Sequence, residues 1–344
     1  MEKARIGFIG AGGFSTGSIY PNICRLPFID LVSICDIDEE KANRNARNFG
    51  ARRVYTDRFE MLDKEELDGV FCIGPAPQQY ELAPCVLERG IPVYVEKPSA
   101  NTSAEAKELA EIGEANNTWG QVGFMKRFAA VYTQAKEIIA KEDFGELHMV
   151  KVKFGQGPYP QIWGIDSARR AMLIGQLCHI FDLVRFFGGN PQTVHAFYRE
   201  ATPTQFAYTV NVKFESGVIG LMDLNALDHK AGFRDIHERL ELVGFESNIC
   251  CEDMIKMSWQ APEDFLKSTP HTGRYVHSFD PSWTGINQMK KILGYEGEVE
   301  HFAKKCIGQA EGGPDLWDSY HSLKFGEAVY ESAFEGGEVE VYGE

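Results

Sequence analysis

The sequence predicts an α/β chain of two domains: a doubly wound parallel sheet, then an α+β domain built on a mostly antiparallel open sheet. Three observations predict this. The chain has 344 residues, more than a single hydrophobic core usually organises. Up to about residue 122, short apolar runs alternate with amphipathic stretches in the manner of βαβ units. Beyond residue 123 the pattern changes to helices and then several strands in succession, so the domains are read as 1–122 and 123–344.

In the first domain the strands are expected at Arg5 to Ile9, Leu31 to Cys35, Val70 to Ile73, Val93 to Val95 and Gly120 to Gly123. Asp38 caps a helix that stops before Gly50, and a second helix, Gln78 to Arg89, stops before Gly90. Thr102-Ser103-Ala104-Glu105 has the form of a capping box and opens a helix running to about Asn116. In the second domain the pattern predicts a helix over about Ala129 to Lys141, a strand over Leu147 to Phe154 and a helix over about Arg170 to Phe187. Thr193 to Arg199, Phe206 to Phe214, Val218 to Leu224 and Leu240 to Cys251 read as an antiparallel meander, with Glu215-Ser216-Gly217 as one hairpin turn. Ser258 to Gly294 lacks periodicity and reads as a long loop over a site. A last helix covers about Asp315 to Phe334.

Composition narrows the function. With 35 basic and 50 acidic residues the formal charge is −15, which argues against general affinity for nucleic acid or an anionic membrane surface and favours a small-molecule substrate. The eight cysteines show neither C-x-x-C nor Cys/His metal spacing; buried, reduced thiols in the cytoplasm are expected, with no metal. The sequence shows no secretory leader and no apolar run long enough to span a bilayer, which also points to the cytoplasm.

The first strand opens onto Gly10-Ala11-Gly12-Gly13-Phe14-Ser15, a G-x-G turn with Ser15 in the third small-residue slot. Small residues let the backbone approach a pyrophosphate, whose charge is met by amide N–H groups of the following helix, as in a Rossmann domain. Asp36 ends the second strand 24 residues after Gly12 (36 − 12), where an acid bonds the adenosine ribose hydroxyls and repels a 2′-phosphate. The predicted cofactor is therefore NAD, with NADP disfavoured; Arg44 and Arg47 are the residues that argue the other way. Gly10, Gly12, Gly13, Phe14 and Asp36 are its binding candidates, joined by Gly74, Pro75, Glu96 and Lys97 at later strand ends. The bland alternative is an ordinary tight turn with Asp36 as a cap. Pro21 departs from the pattern and is expected to delay or kink the first helix.

Val93-Tyr94-Val95-Glu96-Lys97-Pro98 is an apolar strand ending in an acid, a lysine and a proline. Further stretches are Val122-Gly123-Phe124-Met125-Lys126-Arg127-Phe128, His179-Ile180-Phe181-Asp182 and Gly294-Tyr295-Glu296-Gly297-Glu298. As a set, over nearly the whole chain, they resemble the Gfo/Idh/MocA family of sugar and cyclitol oxidoreductases. The resemblance implies that Lys97 lies between nicotinamide and substrate and hydrogen-bonds the reacting hydroxyl, and that the Lys97-Pro98 bond is cis. It makes His179 the catalytic base, a role suited to an imidazole that titrates near ~6.5. It also implies that Lys97 and His179, from separate domains, face one bound dinucleotide, and that the second sheet pairs subunits into a homodimer or homotetramer.

One departure stands out. Many members carry an aspartate four residues before the histidine, whereas this chain has Gly175. Gln176, Asp182 or a substrate-facing tyrosine is then left to support His179. Lys126, Arg127, Gln156, Tyr159, Trp163 and Arg169 are further polar and aromatic candidates for contact with a polyhydroxylated ring. The function implied is NAD-dependent hydride transfer at a secondary alcohol or ketone of a sugar, sugar derivative or cyclitol. The alternatives are an NAD-dependent glycosidase of the same fold and a non-catalytic regulator that senses NAD or a metabolite.

Overall fold

The computed structural model describes residues 3–228, 236–260, 274–278 and 292–343. It divides into two compact units, Met1–Met125 with Gly294–Tyr320, and Lys126–Leu293 with His321–Glu344.

The first unit is a parallel sheet of six strands: β1 (Ala4–Ile9), β2 (Ile29–Cys35), β3 (Arg53–Tyr55), β4 (Gly69–Cys72), β5 (Val93–Val95) and β6 (Gly120–Val122). Their order is β3-β2-β1-β4-β5-β6, the nucleotide-binding arrangement whose strand order reverses between β1 and β4. β3 was not expected; it is three residues long and only part-buried, too short for a periodic signal. The connecting helices are α1 (Tyr20–Ile23), α2 (Glu39–Phe49), α3 (Arg58–Lys64), α4 (Ala76–Leu87) and α5 (Ser103–Ala115). The helix ends follow the local chemistry: the Asp38 side chain accepts from Lys41 N, Gly50 ends α2 in the left-handed region at φ 84°, and Thr102 and Glu105 make both bonds of the capping box. Pro21 acts as expected. One π turn, Ser15–Ile19, precedes α1, and the proline falls in the first turn of α1, where a missing N–H costs least.

Phe8, Phe71 and Tyr94 stand in register on β1, β4 and β5, with ring centroids 5.3 and 4.6 Å apart. Phe302 meets Phe71 and Tyr94 edge-on, at 4.8 and 5.7 Å, which adds the helix Tyr295–Cys306 to this core. Residues 294–320 thus belong with the first unit although they follow the second in sequence.

The second unit holds α6 (Ala130–Ile139), α7 (Ala168–Gly175), α8 (Cys178–Gly188) and a nine-stranded sheet. Its strands are β7 (Leu147–Gln156), β8 (Pro191–Thr202), β9 (Gln205–Phe214), β10 (Ile219–Asn225), β11 (Ile236–Gly244), β12 (Asn248–Glu252), β13 (Lys256–Gln260), β14 (Arg274–Ser278) and β15 (Glu338–Glu340). The order is β14-β13-β12-β11-β7-β10-β9-β8-β15, antiparallel except where β7 runs parallel to β10. The expected meander is corrected on two points: β7 inserts between β10 and β11, and Leu240 to Cys251 is two strands of a hairpin. Both arise because pairing partners distant in sequence leave no local trace. Alternate residues of β9, Phe206 through Phe214, are buried, as expected for a sheet with one covered face.

Two more expectations are corrected. The stretch after Ser258 is partly strand, since β13 and β14 pair; residues 261–273 and 279–291 lie outside the described residues. The single helix expected over Arg170 to Phe187 is two, bent by 44°. Met172 O accepts from both Gln176 N and Leu177 N, which ends α7, and α8 restarts one turn on. Helix α9 (Tyr295–Cys306) follows, then α10 (Leu316–Glu335), within which the chain passes from the first unit back to the second. No single helix among the described residues is long and apolar enough to cross a bilayer.

Candidate active site

In the first unit the glycine turn sits at the carboxyl end of β1, beside the switch in strand order. Gly10 has φ +107°, and its N–H bonds Cys35 O at 2.9 Å while Ile73 N bonds Ile9 O at 3.0 Å. The turn is therefore held between β2 and β4. At Gly12 and Gly13 nothing lies within 4 Å of where a Cβ would be, so open space lies before the backbone. Asp36 braces this turn: Oδ2 accepts from Ala11 N at 2.6 Å and Oδ1 from Asp38 N at 2.9 Å. A carboxylate has about four lone-pair sites, so two remain for a ribose. Phe14 is half-exposed beside the turn, and Gly74 and Pro75 follow β4 and open α4. These residues fit a dinucleotide: a tight turn with an open face, an acid at the next strand end and small residues at the end of β4.

Glu96-Lys97-Pro98 follows β5, and the Lys97-Pro98 peptide is cis. The segment is clamped by Gln79, whose Nε2 donates to Glu96 O and Pro98 O at 2.9 and 3.0 Å while Oε1 accepts from Glu96 N at 2.7 Å. The Ser99 and Ser319 hydroxyls bond each other at 2.8 Å and hold the next turn. Gln79 escaped the sequence reading. Its signal was there: with Ala76, Ala83 and Val86 it lies on the buried stripe of α4, where a polar residue must find partners. Gln79→Ala is expected to lower stability by about 2–4 kcal/mol, because it strands buried backbone groups. Chemical denaturation measures that loss.

The second unit places His179 in the first turn of α8, 7% exposed. Asp182, one turn on, takes Arg127 in a two-point ion pair, Nε to Oδ2 at 2.9 Å and Nη2 to Oδ1 at 2.5 Å. Lys126 is buried and pairs with Glu238, whose other oxygen accepts from the Tyr132 hydroxyl. Arg169 lies against Phe334, 4.8 Å from the ring centroid, and bonds Glu200 at 3.4 Å. Lys126 and Arg169, candidates for substrate contact, are thus engaged within the fold. Glu238 gave no sequence signal beyond strand periodicity.

Gly175 ends α7, and a Cβ there would lie 2.7 Å from the Tyr159 hydroxyl, 3.0 Å from Ile162 Cδ1 and 3.1 Å from Trp163 Cζ3. The structure brings Tyr159 and Trp163 together at the place where the aspartate was expected. Burial pushes the Tyr159 phenol pKa upward, so this hydroxyl keeps its proton. Trp163 holds φ +55°, a costly conformation for a bulky residue, just before Gly164 at +75°. Gly175→Asp is expected to cost about 1–3 kcal/mol through overpacking, and Tyr159→Ser in the same chain is expected to recover part of it. Paired thermal melts test this.

Comparison with known proteins decides the lineage. The model of the GFO/IDH/MocA "Oxidoreductase family, NAD-binding Rossmann fold" matches residues 4–124, and that family's "C-terminal alpha/beta domain" matches 136–341. The chain belongs to the Gfo/Idh/MocA oxidoreductase family. Within it, an inositol 2-dehydrogenase/D-chiro-inositol 3-dehydrogenase of Shouchella clausii is 31% identical over 97% of this chain and 93% of its own. A dehydrogenase from Chromobacterium violaceum superposes with TM-score 0.86 at 22% identity over 97% of this chain and 96% of that one. Levoglucosan dehydrogenase, solved with NADH and L-sorbose, superposes with TM-score 0.81 at 19% identity over 99% of both chains. Family membership makes the chain an oxidoreductase with an NAD-binding Rossmann domain, and the six-stranded sheet is that domain.

Proposed function

We propose that this oxidoreductase transfers hydride between NAD and a secondary alcohol or ketone of a cyclitol, sugar or sugar derivative. The observation that carries the reading is the placement of the glycine turn, Asp36 and Lys97 at the carboxyl ends of β1, β2 and β5 of one sheet. The named relatives, which include inositol and levoglucosan dehydrogenases, support the substrate class. Gly10 to Phe14, Asp36, Gly74, Pro75, Glu96 and Lys97 would hold the dinucleotide, which when bound supplies a hydride acceptor at C4 of its nicotinamide. Lys97 donates a hydrogen bond to the reacting oxygen and holds it in place. His179 takes the hydroxyl proton in oxidation and returns it in reduction. Oxidation thus removes one hydride and one proton from the alcohol. A spectrophotometric screen of cyclitols and sugars for NADH formation tests the reading, and silence across the panel with NAD affinity retained would overturn it.

Asp36 sets the coenzyme preference, because its carboxylate repels a 2′-phosphate. Asp36→Asn is expected to raise the NADP to NAD ratio of kcat/KM roughly tenfold. Initial rates with both coenzymes measure this.

A second reading has one observation behind it. With Gly175 where an acid was expected, the protein binds NAD without net turnover, either as a sensor or as a glycosidase that oxidises and re-reduces one sugar. Cleavage of nitrophenyl glycosides without accumulation of NADH would favour the glycosidase. The chain is further proposed to act in the cytoplasm as a homodimer or homotetramer. Phe197, Ile219 and Leu221 are exposed on β8 and β10, which supports pairing through that sheet, and sedimentation velocity measures the assembly.

A further inference from the structure

Two stretches of the sequence, Glu96-Lys97-Pro98 and Gly294-Tyr295-Glu296-Gly297-Glu298, each bring a buried acid to Tyr94 inside the first unit. Glu298, in the first turn of α9, is 0% exposed, and the side-chain donor its carboxyl faces is the Tyr94 hydroxyl. Its backbone carbonyl is tied down by Gln121 Nε2 at 2.8 Å. Glu96 is also buried; its Oε1 accepts from the Tyr94 hydroxyl at 3.1 Å and its Oε2 from the Lys97 N–H at 3.3 Å. Tyr94 has one proton to donate and two acids against its hydroxyl, Glu96 and Glu298, so it cannot serve both fully. Gly123 leaves the room: a Cβ there would lie 2.6 Å from Tyr94 Oη and 2.8 Å from Glu96 Oε1.

The titratable groups facing this pair are Tyr94 on β5 and Lys97 just beyond it. Two acids therefore share one neighbouring ammonium in a desolvated place. A buried carboxylate that has only a share of one hydroxyl donor is costly, and the cheaper state keeps the proton. Burial pushes the Glu96 carboxyl up to about 7, opposed by Lys97 and Tyr94, and burial with repulsion from Glu96 carries Glu298 well above the usual range.

Building on the role assigned to Lys97 above, we propose that Glu96 and Glu298 are a carboxyl pair coupled through Tyr94, in which neutral Glu298 leaves Glu96 to carry the single charge that positions the Lys97 ammonium. Both are positioning residues. As pH falls, Glu96 takes up a proton, Lys97 loses its counter-charge, and turnover falls with it. His179 protonates in the same direction, so the acid limb of kcat/KM reflects two protons.

Infrared spectra of the full chain during a pH titration follow the carbonyl stretch of protonated carboxyls. The wild type is expected to show two carboxyls titrating above roughly pH 5.5, beyond ordinary glutamates. Glu96→Gln and Glu298→Gln should each leave one; Glu298 surviving in Glu96→Gln should titrate lower because the like charge is gone, whereas Glu96 surviving in Glu298→Gln should titrate where it does in the wild type, because Glu298 is neutral there. In parallel, the acid limb of kcat/KM should fall with a two-proton slope in the wild type and a one-proton slope in Glu96→Gln. In Glu298→Gln the limb should keep its two-proton slope, because the amide replaces a carboxyl that was already uncharged. No high-titrating carboxyl in the wild type, or a signal unchanged in Glu298→Gln, would overturn the pair. A two-proton acid limb that persists in Glu96→Gln would overturn the positioning role. The infrared signal tests the pair even if Lys97→Ala stays active, an outcome that would instead sink the role of Lys97. Should Glu96→Gln not fold, the Glu298→Gln spectrum decides the pair, and Glu96→Asp, which draws the charge back from Lys97, decides the positioning role by lowering kcat/KM.

Discussion

Gly10→Ala is expected to abolish dinucleotide binding and to destabilise the first unit by about 3–5 kcal/mol, from overpacking and backbone strain together. The added Cβ would lie 2.1 Å from Ile73 O, a backbone atom locked by the bond from Ile73 N to Ile9 O, and φ +107° is closed to alanine in any case. Relief requires the turn to leave the end of β4, taking with it the amides proposed to meet the pyrophosphate. A loss of this size is a large share of the ~5–15 kcal/mol that holds a typical domain together. Gly12→Ala is the control: open space surrounds that position, so stability should hold while NADH affinity falls. Thermal denaturation with NADH fluorescence titration separates the two. A Gly10→Ala protein that melts like the wild type would refute this account of the turn.

Lys97→Ala and His179→Ala are each expected to lower kcat/KM by about 10²–10⁴-fold, the usual worth of a positioned proton-transfer or polarising group. Both should still bind NADH, since neither forms the glycine turn, with Lys97→Ala the weaker of the two because Lys97 is also a proposed dinucleotide contact. The losses should not multiply in the double variant if the two groups act on the same oxygen in one transition state. Initial rates on an active polyol, with kcat and KM resolved, check this. A variant that keeps most of its turnover removes that residue from the chemistry.

Much of the fold was open to reading because its signals are local. Asp38, Gly50 and the Thr102–Glu105 box mark helix ends by bonds within four residues, and the structure makes those bonds. The β1 to β6 alternation was equally plain, apart from three-residue β3. What escaped was non-local: β7 slipping between β10 and β11, and residues 294–320 returning to the first unit around Phe302. Among the proposed site residues, the chain positions of Gly10, Asp36, Lys97 and His179 came from motifs. The bonding of Lys126, Arg169 and Asp182 did not, because a charged side chain reads the same whether it faces solvent or a buried counter-ion.

By itself the sequence determined the parallel nucleotide sheet, its glycine turn and the acid that follows it, since each depends on backbone conformation and on neighbours a few residues away. Only the tertiary structure decided that Gln79 clamps the Glu96-Lys97-Pro98 segment, that Tyr159 and Trp163 fill the space beside Gly175, and that Glu298 lies buried with Glu96. Those facts depend on which distant side chains share one desolvated volume. Burial there costs more than any local preference, and it is settled only when the sheets and helices have packed.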